Sequence, residues 1–501
     1  MNREVMRVGR HELSTVCENL LQQDWELLTM VASDERDLPA SAFVIRYFFA
    51  QNNLMKVIES SVPAAEPTYA SVTRVTPAAA WYEREAFDLF GLYPIGHPDL
   101  RPLVLHEDWP QDVYPLRKDY PLHVAQPRVQ GRDWDYPKVA GAGVFEVPVG
   151  PIHAGVIEPG HFRFQVMGDS VLHLEAKLFY KHRGLEKRAE GISLLQGRFL
   201  AERTCAVCSV SHALSYAHAV EQISATEVPT RARFLRSLFA ELERLYNHIG
   251  DIGNLCAGIG FAYGSNHGAR LKEQLMQLND SLTGHRYLRG TIVPGGVARD
   301  LTEPHRRQLE LELQDVKQQL HEIVEVIVHQ DTVRNRFVNT GILSSQAARR
   351  LAAVGPAARA SGIRTDARLH SPYDAYSELD FEIPTLFEGD VMARFQIRVL
   401  EVEQSFRIIE QILAALPAGL LQQALGDIPA FEYGIGITES ARGANAHYVM
   451  SGKNGVIFRY RVRSASYANW PVVPQTVPGN IIADFPLINK SFELCYACCD
   501  R

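Results

Sequence analysis

The chain has 501 residues, 46% of them hydrophobic and 22% charged, with a formal net charge of −7, a balance that suits an ordinary globular core and excludes the basic footprint of a nucleic-acid or membrane-surface binder. Length sets a prior of about three domains. No apolar run reaches the roughly 20 residues of a membrane helix, and the opening "MNREVMRVGRHELSTVCENLL" has neither an apolar signal core nor a twin-arginine pair, so the expected location is the cytoplasm.

Residues 1–122 read as a mixed α/β unit. "SAFVIRYFFA" and "LMKVIESSV" have the β-branched and aromatic richness of strands, and a helix is expected in "TPAAAWYEREAFDLFGL". Proline, glycine and charge then break any periodicity over 123–145, which reads as a linker. From 146 to 501 a short β-like opening, "FRFQVMGDSVLHLEAKLFY", precedes a mostly helical remainder. One helix carries Phe234, Leu238, Leu242, Leu245 and Ile249 on one stripe. A second starts at Thr302 as N-cap with Pro304 in its first turn, and repeats Leu309, Leu313, Val316, Leu320, Ile323 and Ile327. A third begins near "DVMARFQIRVL" and is stopped by Pro417 and Gly419. The expected fold is an α+β N-terminal domain followed by a mainly α-helical domain with a small β portion.

The seven cysteines are Cys17, Cys205, Cys208, Cys256, Cys495, Cys498 and Cys499. An odd count in a long chain argues against a disulfide framework. Cys205 and Cys208 form one C-x-x-C pair and Cys495 and Cys498 a second, at the far end of the chain. Four thiolates suit zinc, an iron–sulfur cluster or another soft-ligand metal such as nickel. Metal bonds would also explain thiols clustered at a chain end, where segments usually fray. Cys499 reads as a neighbour of that site, and Cys17 and Cys256 as core thiols.

The surroundings narrow the choice. "IEPGHFRF", "HRGLEK", the R-x-C-x-x-C-x-x-x-H of Arg203 to His212, "ESARGANAHYV" and the final C-x-x-C ending in arginine occur in one order across residues 150–501. This run resembles the large, catalytic subunit of NiFe hydrogenases, most strongly the energy-converting class that includes formate hydrogenlyase. Ahead of it, "EREAFDLFGLYPIGHPDLRPLVLHEDWPQDVYPLRKDYP" resembles the 30-kDa peripheral subunit of respiratory complex I. Taken together, its charged residues (Arg84, Glu85, Asp88 and Asp99 among them) are expected to form a docking surface for partner subunits, with no catalysis in this unit.

The resemblance implies roles for particular residues. Cys205 and Cys495 would be terminal thiolates on nickel, and Cys208 and Cys498 would bridge nickel to an iron carrying CO and cyanide. Dihydrogen would be split heterolytically with Cys495 as the base; Glu158 would relay the proton outward, and Arg442 would hang over the open metal position. His212, four residues beyond Cys208, is expected behind the cysteines, orienting one of them. Implied partners are an iron–sulfur small subunit, further iron–sulfur and integral membrane subunits of a complex I-like assembly, and maturation proteins. They would hold the chain on the inner membrane face. Electrons would come from formate or another low-potential donor.

Three positions depart from the resemblance: Ala206 stands where glycine is usual, Glu493-Leu494 where Asp-Pro is usual, and Cys499 where a small hydroxyl is usual. They keep two other readings open. One is a non-catalytic scaffold like the related 49-kDa subunit of complex I, with a degenerate metal site. The other is a structural zinc site made of the four cysteines, which explains the spacing but neither "IEPGH" nor "ARGANAH".

Overall fold

A computed structural model describes residues 2–124, 126–131, 136–153 and 157–501. Parts of the expected linker, 125 and 132–135, and residues 154–156 just before "IEPGH" lie outside the described residues.

The amino-terminal region is built on a four-stranded sheet whose strands run in the order Asn2–Arg7, Leu54–Pro63, Ala42–Gln51, Glu26–Glu35. The first pair is parallel and the others antiparallel. "AFVIRYFFAQ" is apolar almost throughout because this sheet is covered on both faces. Phe43, Ile45, Tyr47 and Phe49 pack with Leu13, Cys17 and Leu20 of the helix Leu13–Gln22. Phe48 faces the other way and packs with Ile435, Tyr448 and Met450 of the second region. The expected helix runs Ala80–Phe90 and ends on Gly91, whose φ of 71° is the left-handed conformation that closes helices.

Some charges of the complex I-like stretch turn inward, which corrects their expected place on a docking surface, while Asp119 is exposed. Glu85 and Asp88 are buried. Asp88 Oδ2 accepts from the backbone of Leu103, Val104 and Leu105 at 2.7 to 3.2 Å. Arg84 donates to the carbonyls of Arg101 and Pro102, and Asp99 pairs with Arg101 at 2.7 Å. These groups pin the proline-rich loop to the helix before it.

The strand Val144–Val149 begins within the last residues of the expected linker and forms a three-stranded antiparallel sheet with His161–Met167 and Ser170–Lys177. The three expected helices run Thr230–Ala257, Glu303–Val328 and Val391–Ala415. Thr302 caps the second through a hydrogen bond from His305 N, and its six stripe residues are all buried. Two long helices not singled out from the sequence, Ser209–Ile223 and Ala262–Thr283, complete the bundle.

A second three-stranded sheet, Tyr433–Ser440, Gly443–Ser451 and Ile457–Arg463, lies within the stretch expected to be helical. Its glycines disguise it, because glycine in a strand interior usually reads as a break. Here they permit close approach instead: a Cβ at Gly434 would sit 2.1 Å from the Ala219 carbonyl, and one at Gly436 1.9 Å from that of Ser215. The strand therefore lies directly on the helix Ser209–Ile223.

Candidate metal centre

Each cysteine pair opens a helix. Cys208 is the residue preceding Ser209–Ile223, and Cys495 precedes the short helix Tyr496–Asp500, where its Sγ accepts from Cys498 N at 3.3 Å. Folding brings these two helix starts together. Cys205, Cys208 and Cys498 form one buried cluster with Cys495 packed against it, and all seven cysteines are free thiols. The Sγ atoms of Cys205 and Cys498 and a ring nitrogen of His212 lie within 4.8 Å of one another.

His212 lies against these thiols. Its Nε2 is 3.3 Å from Cys498 Sγ and its Nδ1 is 2.8 Å from His447 Nε2. His447 Nδ1 is in turn 2.8 Å from the Tyr460 hydroxyl. Burial, with Arg183 nearby, holds His212 down to about 3, and burial beside His212 holds His447 well below its usual range. Burial pushes the Tyr460 hydroxyl well up, so it keeps its proton. With Cys498 as a thiolate, two neutral imidazoles and a phenol run in one direction: Tyr460 donates to His447, His447 to His212, and His212 to the Cys498 sulfur.

The thiols perturb one another strongly. Hydrogen bonding to Cys205, then burial, raises Cys208 well above an ordinary thiol; burial, then Cys205 and Cys495, raises Cys498. Bonds from Cys205 and Cys498 hold Cys495 well below. Four sulfurs gathered without a disulfide, with an imidazole N–H beside them, fit a soft cation that would deprotonate its ligands.

Glu158 and Arg442 both reach this cluster. Glu158, half-buried, accepts from Ala497 N at 2.8 Å through Oε2, and the same oxygen lies 4.0 Å from Cys495 Sγ. Arg442, in the turn between the first two strands of the second sheet, donates toward Cys208 Sγ at 3.5 Å and to Asn247 Oδ1 at 2.8 Å. Its other contacts are Asp251 at 3.4 Å and the Glu493 carbonyl. Asp251 also pairs with Arg398. Glu493 adopts φ 51°, a left-handed turn that a following proline would disfavour. Leucine at 494 is compatible with that turn.

Sequence reasoning missed the residues that hold Arg442. Asn247 and Asp251 touch it directly, Asn254 donates to the Glu493 side chain, and all three recur with Glu243 at helical spacing along Thr230–Ala257; that spacing was the available signal. Glu243 accepts from Val210 N at 2.6 Å and Ser211 N at 3.0 Å, capping the helix that begins beside Cys208, and burial pushes its carboxyl up to about 7.

Protein contacts also hold the chain end, beyond the metal bonds expected to do so. Asp500 accepts from Lys181 N at 2.8 Å, and Arg183 N donates to the Arg501 carbonyl at 2.6 Å. Arg501, 3% exposed, pairs with Glu85 at 2.6 Å and Glu186 at 3.1 Å. Arg461 bridges the same two carboxylates. This ring ties the helix bearing Cys498 to the amino-terminal region.

A nickel-dependent hydrogenase model matches residues 183–257, and a model of the respiratory-chain NADH dehydrogenase 49-kDa subunit matches 259–428 and 426–501. The 30-kDa subunit model of the same enzyme matches 6–126. Formate hydrogenlyase subunit 5 of Escherichia coli (strain K12) is 36% identical over 96% of this chain and 85% of its own length. The C/D polypeptide of the NADH-quinone oxidoreductase of Methylococcus capsulatus is 27% identical over 95% of this chain and 90% of its own. A solved chain of the membrane-bound sulfane sulfur reductase, an archaeal respiratory membrane complex, superposes with TM-score 0.68 at 30% identity, over 73% of this chain and all of its own.

Proposed function

The chain belongs to the family that unites nickel-dependent hydrogenase large subunits with the 49-kDa subunit of respiratory-chain NADH dehydrogenase, here with a 30-kDa-subunit module fused in front, and from that premise we propose that it is the catalytic large subunit of a membrane-associated NiFe hydrogenase complex. The observation that carries the reading is the convergence of both C-x-x-C pairs on one buried site with Glu158 and Arg442 at its edge.

Cys205, Cys208, Cys495 and Cys498 would hold a nickel–iron centre, with CO and cyanide on the iron. Such a centre, when bound, supplies the redox chemistry for the reversible interconversion of dihydrogen with two protons and two electrons. The chain's own residues do the rest. Cys495 is the thiolate placed to take a proton, and Glu158 Oε2 at 4.0 Å is the next acceptor. Being half-buried, Glu158 can pass that proton toward solvent. Arg442 sets a fixed positive charge over Cys208, braced by Asn247 and Asp251 so that it costs no reorganisation. The Tyr460–His447–His212 chain aims an N–H at Cys498 and favours its thiolate form.

Cys17, Cys256 and Cys499 are separate buried thiols, too few for a four-thiolate cluster, so electrons would pass to iron–sulfur partner subunits. No helix among the described residues is long and apolar enough to cross a membrane; attachment to the cytoplasmic membrane face would come through partners. Formate or another low-potential compound would be the donor. The likeness to the C/D polypeptides of NADH-quinone oxidoreductases favours, as second reading, a complex I-like scaffold; the four converging thiols weigh against it.

Element analysis and infrared spectroscopy on the complex purified without oxygen test the proposal. Nickel and iron in equal amounts, with CO and cyanide stretching bands that vanish in Cys498→Ser, are expected. Zinc alone, or no metal and no bands, would overturn it.

A further inference from the structure

A cavity of about 600 Å³ lies between the amino-terminal region and the second region. Trp25, Leu27 and Gln51 line one wall; Ala353, Ile363 and Ala444 line the other. The volume is that of small-molecule sites, which run roughly 300–1,000 Å³ with mostly apolar linings and a few fixed polar groups.

Arg463 is the polar group that sets this cavity apart. It is 4% exposed and lines the wall, donating Nη1 to the Ala444 carbonyl at 2.5 Å and Nε to the Tyr82 hydroxyl at 3.4 Å. Its Nη2 has no hydrogen-bond partner among the described residues. Among the buried arginines, all but Arg394 and Arg463 pair with a carboxylate. Arg394 spends all three of its nitrogens on Ser491 Oγ and the carbonyls of Gly389 and Gly341. Of these two, Arg463 alone keeps a free nitrogen, and it does so beside an open volume. A buried charge without a counter-charge is destabilising, so the fold gains whenever an anion fills that place.

We propose that this interdomain cavity is a binding site for a small organic acid, its carboxylate seated on Arg463 and its apolar body against Trp25, Leu27 and Ile363. Guanidinium forks match carboxylates in geometry as well as charge. Arg349 and Arg364 stand exposed at the same wall's rim and add positive potential there. Asp24 and Glu26 line the opposite wall, which orients the acid group away from the amino-terminal side. Asp366, a further lining carboxylate, is already paired with Arg359 and Arg368. The site is separate from the thiols and does not depend on which metal they carry.

Titration calorimetry with 1-naphthoate, and with 1-naphthylmethanol as its uncharged analogue, tests the assignment on the full-length chain and on the assembled complex. One site per chain is expected, with naphthoate at least tenfold tighter than the alcohol. Arg463→Gln should abolish that preference and Arg463→Lys should keep part of it. Ala353→Trp, which fills the cavity and leaves Arg463 in place, should abolish binding of both, and thermal melts identify any variant that fails to fold. Glu26→Gln should leave naphthoate as tight or tighter. Equal binding of acid and alcohol, or binding unmoved by Ala353→Trp in a folded chain, would overturn the proposal. Binding by the isolated chain but not the complex would overturn it too, showing that a partner segment fills the cavity.

Discussion

The helix Glu303–Val328 and the hairpin Tyr433–Ser451 are both long, well-packed elements, yet they are stabilised in opposite ways. The helix buries six aliphatic side chains on one stripe and leaves its charges outside, where pairs such as Arg306–Glu310 add little. The hairpin buries Thr438, Glu439, Arg442, Asn445 and His447 along with its apolar residues. Each finds a partner: Thr438 on the Ser211 carbonyl at 2.8 Å, Glu439 on Arg359 at 2.9 Å, and Asn445 on Ala465 N at 2.9 Å. The helix rests on area removed from water. The hairpin rests on the pairing of these buried polar groups, and losing one partner strands another.

The sharpest way to break this comparison is Arg359→Met. Arg359 is fully buried and contacts Asp366, Glu401 and Glu439. Its loss leaves buried carboxylates short of charge, and about 3–5 kcal/mol of destabilisation is expected. Denaturant unfolding of the full chain, followed by the helix signal, measures it; a loss below about 1 kcal/mol would mean the network is solvated. On the helix, Leu320→Ala should cost about 2–5 kcal/mol by the cavity it leaves. A cost above that of Arg359→Met would reverse the ranking.

Acid unfolding separates the two regions again. Burial raises the Asp366 carboxyl, but Arg368 and Arg359 more than offset it and hold it at about 2, against an ordinary 3.8. A depressed carboxylate contributes stability that is fully present above the unfolded value and lost as pH falls through the folded one. The window is therefore about pH 4 down to about pH 2, and the contribution is on the order of 2 kcal/mol. Asp366→Asn should flatten that acid limb in a pH series of melts. An unchanged limb would assign acid lability to other carboxylates.

The same contrast explains what was legible in the sequence. The stripe Leu309 to Ile327 and its Thr302 cap follow from periodicity and local chemistry. The four cysteines, Glu158 and Arg442 were legible because short motifs carry them, and the fold brings those motifs to one place. The pairings that make the site rigid join residues far apart in the chain: Arg442 with Asp251, His447 with His212, Arg501 with Glu85. No local pattern encodes such a pair. Glu85 looked like surface charge because a lone glutamate in a helix usually is, and only the folded chain places Arg461 and Arg501 against it. The hairpin itself was hidden because its glycines serve close approach to a helix, while local reading takes glycine for a turn.

The smallest expected effect tests the legible side most strictly. Leu311 lies in sequence between the buried Leu309 and Leu313, and composition alone would assign all three to the core. Helical phase turns it away from that stripe, and it is 70% exposed. If the phase argument holds, Leu311→Gln should change stability by no more than about 0.5 kcal/mol and leave the melting profile of the isolated chain in place. A larger loss would mean that this face is covered, either by a second copy or by slippage of the helix from its stripe. Repeating the melt at two protein concentrations separates those cases, because only association makes the midpoint depend on concentration.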